Sequence, residues 1–234
     1  MNPPSPQPEF DRYAADYDAA LAQGISVSGE DKDFFAHGRV AWLAKCLREK
    51  SFRPKSVMDY GCGTGQAAPH LLGQLAAEKV LGVDVSEGLL AVARRDHGSA
   101  RTEFLPLAKY EPAAQLDLVF CNGVFHHIPP AERAAAIDYV FRSLKPGGLF
   151  ALWENNPWNP GTRYVMSRIP FDRDAITLSP PAARRMLSAG DFEILRTDSA
   201  FYFPRAVGFL RGLEPLLAKL PLGAQYQVLA RRPV

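Results

Sequence analysis

Apolar runs that suit buried strands alternate with helical segments through the middle of the chain. Five strands are predicted, at "KSVMDYG", "EKVLGVDVS", "RTEFLPL", "LDLVFCN" and "LFALWEN". The segments between them include helices at "QAAPHLLGQLA", "SEGLLAVARRD" and "PAERAAAIDYVFRSL", with Ser86 as a capping residue and a proline near the start of the last. Regular alternation of strand and helix predicts a parallel sheet.

The two ends of the chain follow a different pattern. A helix is predicted from about Phe10, because Phe10, Tyr13 and Tyr17 recur at helical spacing, and a second from Asp31 to Lys50 behind "SGED". After Glu154 the alternation lapses for about 25 residues, which is typical of a functional or disordered stretch. A helix then resumes at "PPAARRMLSAG", and "FEILRTDSAFYF" and "QYQVLARR" follow as strands that can pair as an antiparallel edge.

Composition and charge narrow the class of protein. The 234 residues are 47% hydrophobic and 22% charged, which is ordinary for one globular domain. Because 27 basic and 25 acidic residues are scattered along the chain, we expect no nucleic-acid or membrane partner. The proline-rich start lacks the pattern of a signal peptide, which predicts a cytoplasmic protein. The three cysteines fit neither a disulfide framework nor a zinc site, and we expect half-buried thiols.

The stretch "VMDYGCGTGQ" ends a strand in three glycines, Gly61, Gly63 and Gly65. The dinucleotide fingerprint requires its last glycine at position 66, which is Gln66, and no Gly-Lys-Ser/Thr of a P-loop follows. The loop therefore favours a nucleoside ligand without a phosphate chain. About twenty residues later the second strand ends in Asp84, where a carboxylate can accept hydrogen bonds from ribose hydroxyls.

Four motifs in this order resemble those of class I S-adenosylmethionine-dependent methyltransferases of the small-molecule type: "VMDYGCGTGQAAPHL", "VLGVDVSEGLLAVAR", "LDLVFCNGVFHHIP" and "LKPGGLFALWE". The resemblance implies an α/β fold with a Rossmann-like, seven-stranded, mostly parallel sheet whose last strand is antiparallel. We accordingly expect a disordered tail over residues 1–8 and a single methyltransferase domain over 9–234. Residues 9–50 would form a helical lid, and 155–179 and 202–222 would be insertions on the acceptor side.

The resemblance also implies which residues bind S-adenosylmethionine. The glycines would let the backbone approach the cofactor, and Asp59 would orient the loop or, through a water, the methionyl amine. Further cofactor contacts are expected from residues at strand ends and in the lid: Tyr17, Asp84, Val85, Leu107 and Asn122. Leu107 and Ala108 stand near the place where many relatives have an aspartate, so adenine recognition would be by apolar contacts and the backbone.

Three N-terminal residues each have two possible roles. Tyr13 and Tyr17 either cover the sulfonium centre as part of the lid or only pack. Arg39 either pairs with the cofactor carboxylate or is a solvated residue of an amphipathic helix.

His126 and His127 follow the fourth strand, near the expected meeting point of methyl donor and acceptor. One of them could take a proton from an oxygen or nitrogen acceptor as a catalytic base; the alternative is that both only pack the turn. Metal-dependent relatives need carboxylates with a histidine in this loop, and the matching positions are Gly123, His126 and His127, without either acid. We therefore expect no metal site.

The segment after the fifth strand is predicted to select the acceptor. Asn155 and Trp158 offer amide and ring contacts, and Arg163 and Arg168 could hold an anionic group. The alternative is a surface excursion with solvated arginines. The predicted function is methyl transfer from S-adenosylmethionine to an oxygen or nitrogen of a small molecule. The alternatives are a noncatalytic S-adenosylmethionine-binding module and a nicotinamide-dependent oxidoreductase.

Overall fold

A seven-stranded sheet forms the centre of the protein. The computed structural model describes residues 9–12 and 16–234. The strands are β1 (Ser56–Tyr60), β2 (Lys79–Asp84), β3 (Thr102–Pro106), β4 (Leu116–Asn122), β5 (Leu144–Asn155), β6 (Glu193–Ala200) and β7 (Gln225–Arg231). Their order is β3-β2-β1-β4-β5-β7-β6, in which β1 to β5 are parallel and β7 lies antiparallel between β5 and β6. The expected sheet, with its antiparallel last strand, is confirmed.

Helices cover both faces of this sheet. They are α1 (Tyr17–Ile25), α2 (Lys32–Glu49), α3 (Ala68–Gln74), α4 (Glu87–His97), α5 (Arg133–Ser143), α6 (Pro160–Arg168), α7 (Pro180–Ala189) and α8 (Glu214–Leu217). Apolar side chains of α2, α3 and α4 form one core with the sheet, and those of α5 and α7 form a second. Two buried layers explain why the central strands read as continuous apolar runs rather than alternating ones.

The N-terminal region differs from the predicted helix. Residues Glu9–Arg12 form a 3-10 turn and α1 begins only at Tyr17, so Phe10 and Tyr17 do not share one helix. Both rings instead contact Phe171, with centroid distances of 5.8 and 4.8 Å. Tyr13 and the predicted tail over 1–8 lie outside the described residues. The start of α2 is as predicted, because the Asp31 side chain accepts the Phe34 N–H at 2.8 Å.

The stretch after β5 is more regular than its sequence indicated. Helix α6 begins behind Asn159, whose side chain accepts the Thr162 N–H at 2.9 Å, with Pro160 in the first turn. Thr162 Oγ1 donates to the Ala224 carbonyl at 2.7 Å, and Asn156 donates to the Gly223 carbonyl at 2.8 Å. These bonds attach α6 to the start of β7. The expectation of a 25-residue irregular segment is therefore wrong over α6.

Two further observations complete the fold. None of the helices in the described parts of the chain is both long enough and apolar enough to cross a membrane. The cysteines Cys46, Cys62 and Cys121 are free thiols, and they are buried rather than half-buried, because all three lie among the core side chains.

Candidate active site

The carboxyl ends of four parallel strands bring the predicted site residues to one edge of the sheet. The glycine loop follows β1, Asp84 ends β2, Asn122 ends β4 and Asn155 ends β5. Open α/β sheets bind their ligands at this edge. Leu107 opens a 3-10 turn directly after β3, and its carbonyl accepts the Tyr139 hydroxyl at 3.1 Å.

The glycine loop is a tight turn that only glycine fits without strain. Gly61, Gly63 and Gly65 have φ values of 72°, 52° and 79°, in the left-handed region. A Cβ on Gly61 would lie 2.3 Å from Val124, whereas a Cβ on Gly63 would meet only the Tyr17 hydroxyl, at 4.0 Å. Gly61 therefore allows close packing, and Gly63 leaves space between the loop and α1.

Asp84 fixes the loop and the start of the next helix. Its carboxylate oxygens accept the N–H groups of Gly63 at 2.8 Å and Ser86 at 2.9 Å. Burial raises the pKa of Asp84, although the backbone hydrogen bonds oppose this rise. Val85, the next residue, is 54% exposed, so its side chain points out of the core. Asp11 lies beside Asp84 and accepts the Ser86 hydroxyl at 2.5 Å.

Arg39 and Asp59 both line the smaller cavity, and their charges influence each other. Burial raises the pKa of Asp59 to about 7, the charge of Asp84 adds to this, and Arg39 opposes it. Burial lowers the pKa of Arg39 to about 10, with Asp59 opposing, so the guanidinium is charged at neutral pH. Arg39 Nη1 donates to Gln225 Oε1 at 2.9 Å, and its buried Nε has no hydrogen-bond partner among the described residues. The alternative of a solvated Arg39 is wrong.

Two cavities adjoin at this edge. The smaller, of about 100 Å³, is lined by Asp59 and the glycine loop; the larger, of about 420 Å³, extends toward α6. Five residues line both: Tyr17, Leu21, Lys32, Arg39 and Asn122. The boundary between the two spaces thus carries two of the predicted cofactor residues, Tyr17 and Asn122.

The two histidines line the larger cavity and lie beside two buried carboxylates, those of Glu154 and Asp172. His126 Nδ1 lies 2.6 Å from Glu154 Oε2, and the Phe125 N–H donates to Glu154 Oε1 at 2.9 Å. Asp172 Oδ1 lies 3.2 Å from His127 Nε2 and 3.6 Å from His126 Nε2. Burial by itself would lower the pKa of His126, but Glu154 and Asp172 outweigh it and raise the pKa to about 10.

This network corrects two expectations. A histidine that is protonated at neutral pH cannot accept a proton, so His126 is not a general base in this state. The expectation of no metal site relied on the loop having no acid. The loop has none, but Asp172 brings a carboxylate beside the histidines from a distant part of the chain, so the conclusion does not follow from the loop. His127, 18% exposed, remains the histidine that an acceptor could reach.

Three of the predicted acceptor residues lie away from the cavity. Asn155 lines it, but Trp158 is 49% exposed, and Arg163 and Arg168 lie on the outer face of α6. Arg168 Nη1 donates to the Tyr164 hydroxyl at 3.0 Å on that outer face. The cavity side of α6 instead presents apolar and hydroxyl side chains, Thr162, Val165 and Met166, and Ile169 follows directly after the helix. A helix explains this, because positions three and four apart share one face.

Sequence reasoning missed Glu154 and Asp172 as site residues. Glu154 is a carboxylate that directly follows the apolar run over residues 149–153 within β5, a signal of a buried partner that the sequence does show. Asp172 has no comparable signal, because only the folded chain places it beside residues 46 and 45 positions earlier, His126 and His127.

Comparisons with known proteins find similarity to methyltransferases. A family model described as a methyltransferase domain matches residues 57–148. The trans-aconitate 2-methyltransferase of Variovorax paradoxus is 36% identical over 196 residues, 74% of each chain. The demethylmenaquinone methyltransferase of Symbiobacterium thermophilum is 30% identical over 179 residues, 70% of this chain and 66% of that protein. The methyltransferase solved with the Trm112 activator of Haloferax volcanii has a TM-score of 0.69, 20% identity, and coverage of 98% and 100%.

The chain belongs to the class I S-adenosylmethionine-dependent methyltransferases. It is therefore an enzyme, and its cofactor is S-adenosylmethionine.

Proposed function

We propose that the protein transfers the methyl group of S-adenosylmethionine to an oxygen or nitrogen of a small molecule held in the 420 Å³ cavity. The observation that carries this proposal is the meeting of two cavities. One is lined by the glycine loop, and the other extends from the shared boundary at Tyr17, Arg39 and Asn122. Donor and acceptor would meet at that boundary.

The residues around the smaller cavity suit the cofactor. The partly buried guanidinium of Arg39, with its buried and unpartnered Nε, fits a carboxylate such as that of the methionyl group. Asp59 fits an ammonium group, and Asp84 keeps acceptor capacity for ribose hydroxyls beyond the two N–H groups it holds. Gly63 leaves its side of the slot open.

Positioning and exclusion of water are the main tasks left to the protein. The cofactor supplies a methyl carbon activated by a sulfonium leaving group. Tyr17 stacks on Phe171 at 4.8 Å, and Phe10 packs edge-on against His127 at 4.9 Å, so aromatic rings cover this side of the site. A covered site fixes the approach of the acceptor and keeps water out. We propose that 9–50 acts as the lid, and that 155–179 and 202–222 wall the acceptor.

The lining of the larger cavity favours an acceptor with an apolar body. Many of its described lining side chains are aliphatic or aromatic, among them Leu21, Ile25, Phe34, Phe35, Val165 and Met166. Two of its cations are already paired: Lys32 with Asp18 at 2.6 Å and Arg211 with Glu30 at 2.8 Å. The similar proteins named for trans-aconitate and for demethylmenaquinone act on different acceptors, so similarity does not choose between them. The lining of the cavity supports an acceptor that carries little charge.

The test is to fill the acceptor cavity without touching the cofactor slot. Met166→Trp puts a large ring on the cavity side of α6, and Ser167→Trp puts the same ring on the exposed side of the same helix. In a methyl-transfer screen of apolar phenols, amines and carboxylic acids, Met166→Trp should lose turnover and Ser167→Trp should keep it. Both should bind S-adenosylhomocysteine with wild-type affinity in calorimetry. Equal turnover of both variants would refute the assignment of the cavity.

A further inference from the structure

Three atoms of the kind that bind metals converge on the wall of the acceptor cavity. One ring nitrogen of His126, one of His127 and one carboxylate oxygen of Asp172 lie within 4.8 Å of one another, and the three residues line the cavity. We propose that they form a binding site for a divalent first-row transition metal ion, with an open coordination position that faces the acceptor. The metal site does not depend on the proposed function; the acceptor's part in it does.

The spacing of the ligand atoms fits such an ion. Bonds of about 2.0–2.2 Å at tetrahedral angles place neighbouring ligand atoms about 3.4 Å apart. The two distances from Asp172 Oδ1, 3.2 Å to His127 and 3.6 Å to His126, lie on either side of that value. The two histidine nitrogens lie within 4.8 Å of each other, so an ion that replaced the protons between the histidines and Asp172 would bind at this cluster.

Glu154 supplies the support that a metal-binding histidine usually has. Its Oε2 lies 2.6 Å from His126 Nδ1, the ring nitrogen that faces away from Asp172, and its Oε1 is held by the Phe125 N–H. A carboxylate on the second ring nitrogen fixes the orientation and tautomer of a metal-binding imidazole. Glu154 is fully buried, so this carboxylate has no solvent to favour other positions.

Two nitrogens and one carboxylate oxygen form a donor set that zinc uses in catalytic sites, with the fourth position left to water or substrate. His127 is partly exposed to the cavity, whereas His126 and Asp172 are nearly buried, so the open position lies on the cavity side. An acceptor hydroxyl, enol or carboxylate oxygen could bind there. If the proposed function holds, an acceptor bound in this way would be methylated on oxygen rather than nitrogen.

The first test measures the metal directly. Protein stripped with EDTA is titrated with Co²⁺, whose visible absorption reports its ligands, and then with Zn²⁺ in competition. We expect saturable binding of one ion per chain. Asp172→Asn and His127→Gln should weaken Co²⁺ binding at least about tenfold, and Glu154→Gln by about 10- to 100-fold. His70→Ala is the matched control, because it removes a histidine from another histidine–aspartate pair, with Asp33 at 2.8 Å; it should bind as the wild type does.

No saturable Co²⁺ spectrum, or wild-type affinity in both Asp172→Asn and His127→Gln, would overturn the metal site. Acetohydroxamate, a ligand with two oxygens, should change the Co²⁺ spectrum of the wild type, and an unchanged spectrum would overturn the open position. S-adenosylhomocysteine affinity is measured on the same samples. Cofactor binding without metal binding would reject this inference alone, and metal binding without cofactor binding would reject the proposed function alone.

Discussion

Replacing Arg39 by methionine tests the placement of the cofactor. Methionine keeps the length and apolar stem of arginine but removes the guanidinium that lies beside Asp59 with its Nε unpartnered. Loss of a hydrogen bond to a charged group costs about 1.5–3 kcal/mol. At 1.36 kcal/mol per tenfold, the dissociation constant of S-adenosylhomocysteine should rise about 10- to 160-fold. The lower half of this range is expected, because Arg39 is only partly buried and also bonds Gln225.

The assay compares two ligands by calorimetry. S-adenosylhomocysteine has the amino-acid group, and 5′-methylthioadenosine lacks it, so only the former should lose affinity in Arg39→Met. Arg48→Met is the control, because Arg48 is an exposed arginine of the same helix α2. Equal losses for both ligands would mean a general disturbance of the site, and no loss for either would place the cofactor carboxylate elsewhere.

Three further predictions concern single features of the site. The affinity of the wild type for S-adenosylhomocysteine should fall as the pH drops below about 7, because Asp59 with its raised pKa then loses its charge. The Asp59→Asn variant should have a flatter pH profile. A wild-type affinity that is constant between pH 6 and 8 would contradict a role of Asp59 in binding the cofactor. Trp158→Ala and Arg163→Ala should each change the free-energy barrier of turnover by less than about 0.5 kcal/mol, since both residues lie outside the cavity. A large loss of kcat in either variant would show that the residue contacts the acceptor. Gly65→Ala should lower the free energy of unfolding by about 1–2 kcal/mol in urea titrations. The reason is that the φ of 79° at this position disfavours a side chain and that an added Cβ would lie 3.0 Å from Phe104. Unchanged stability would contradict that geometry.

The sheet and its cofactor edge could be predicted from sequence because their signals are local. Each central strand is a short apolar run, and the positive-φ glycines and Asp84 sit directly at strand ends, so a strand assignment places them as well. Helix α6 could have been found too, because Asn159 before Pro160 is a helix-start signal. The sequence prediction instead chose Trp158, Arg163 and Arg168 for their recognition chemistry. Trp158 precedes α6 and is exposed, and the two arginines lie on the outer face of the helix.

The parts that sequence could not supply depend on contacts between distant residues. Asp172 meets His126 and His127 only after α6 and the following 3-10 turn, Pro170–Asp172, fold back over the strand ends. Arg39 likewise has its hydrogen-bond partner, Gln225, in the last strand. No periodicity of α2 distinguishes such an arginine from a solvated one.

A crystal structure of the protein with S-adenosylhomocysteine tests the central claim, that two adjoining cavities hold donor and acceptor. We expect the methionyl group in the smaller cavity with its carboxylate on Arg39, the ribose at Asp84, and the sulfur at the boundary formed by Tyr17, Arg39 and Asn122, facing the larger cavity. A sulfur that faces away from the larger cavity, or a cofactor bound outside the glycine loop, would contradict the account.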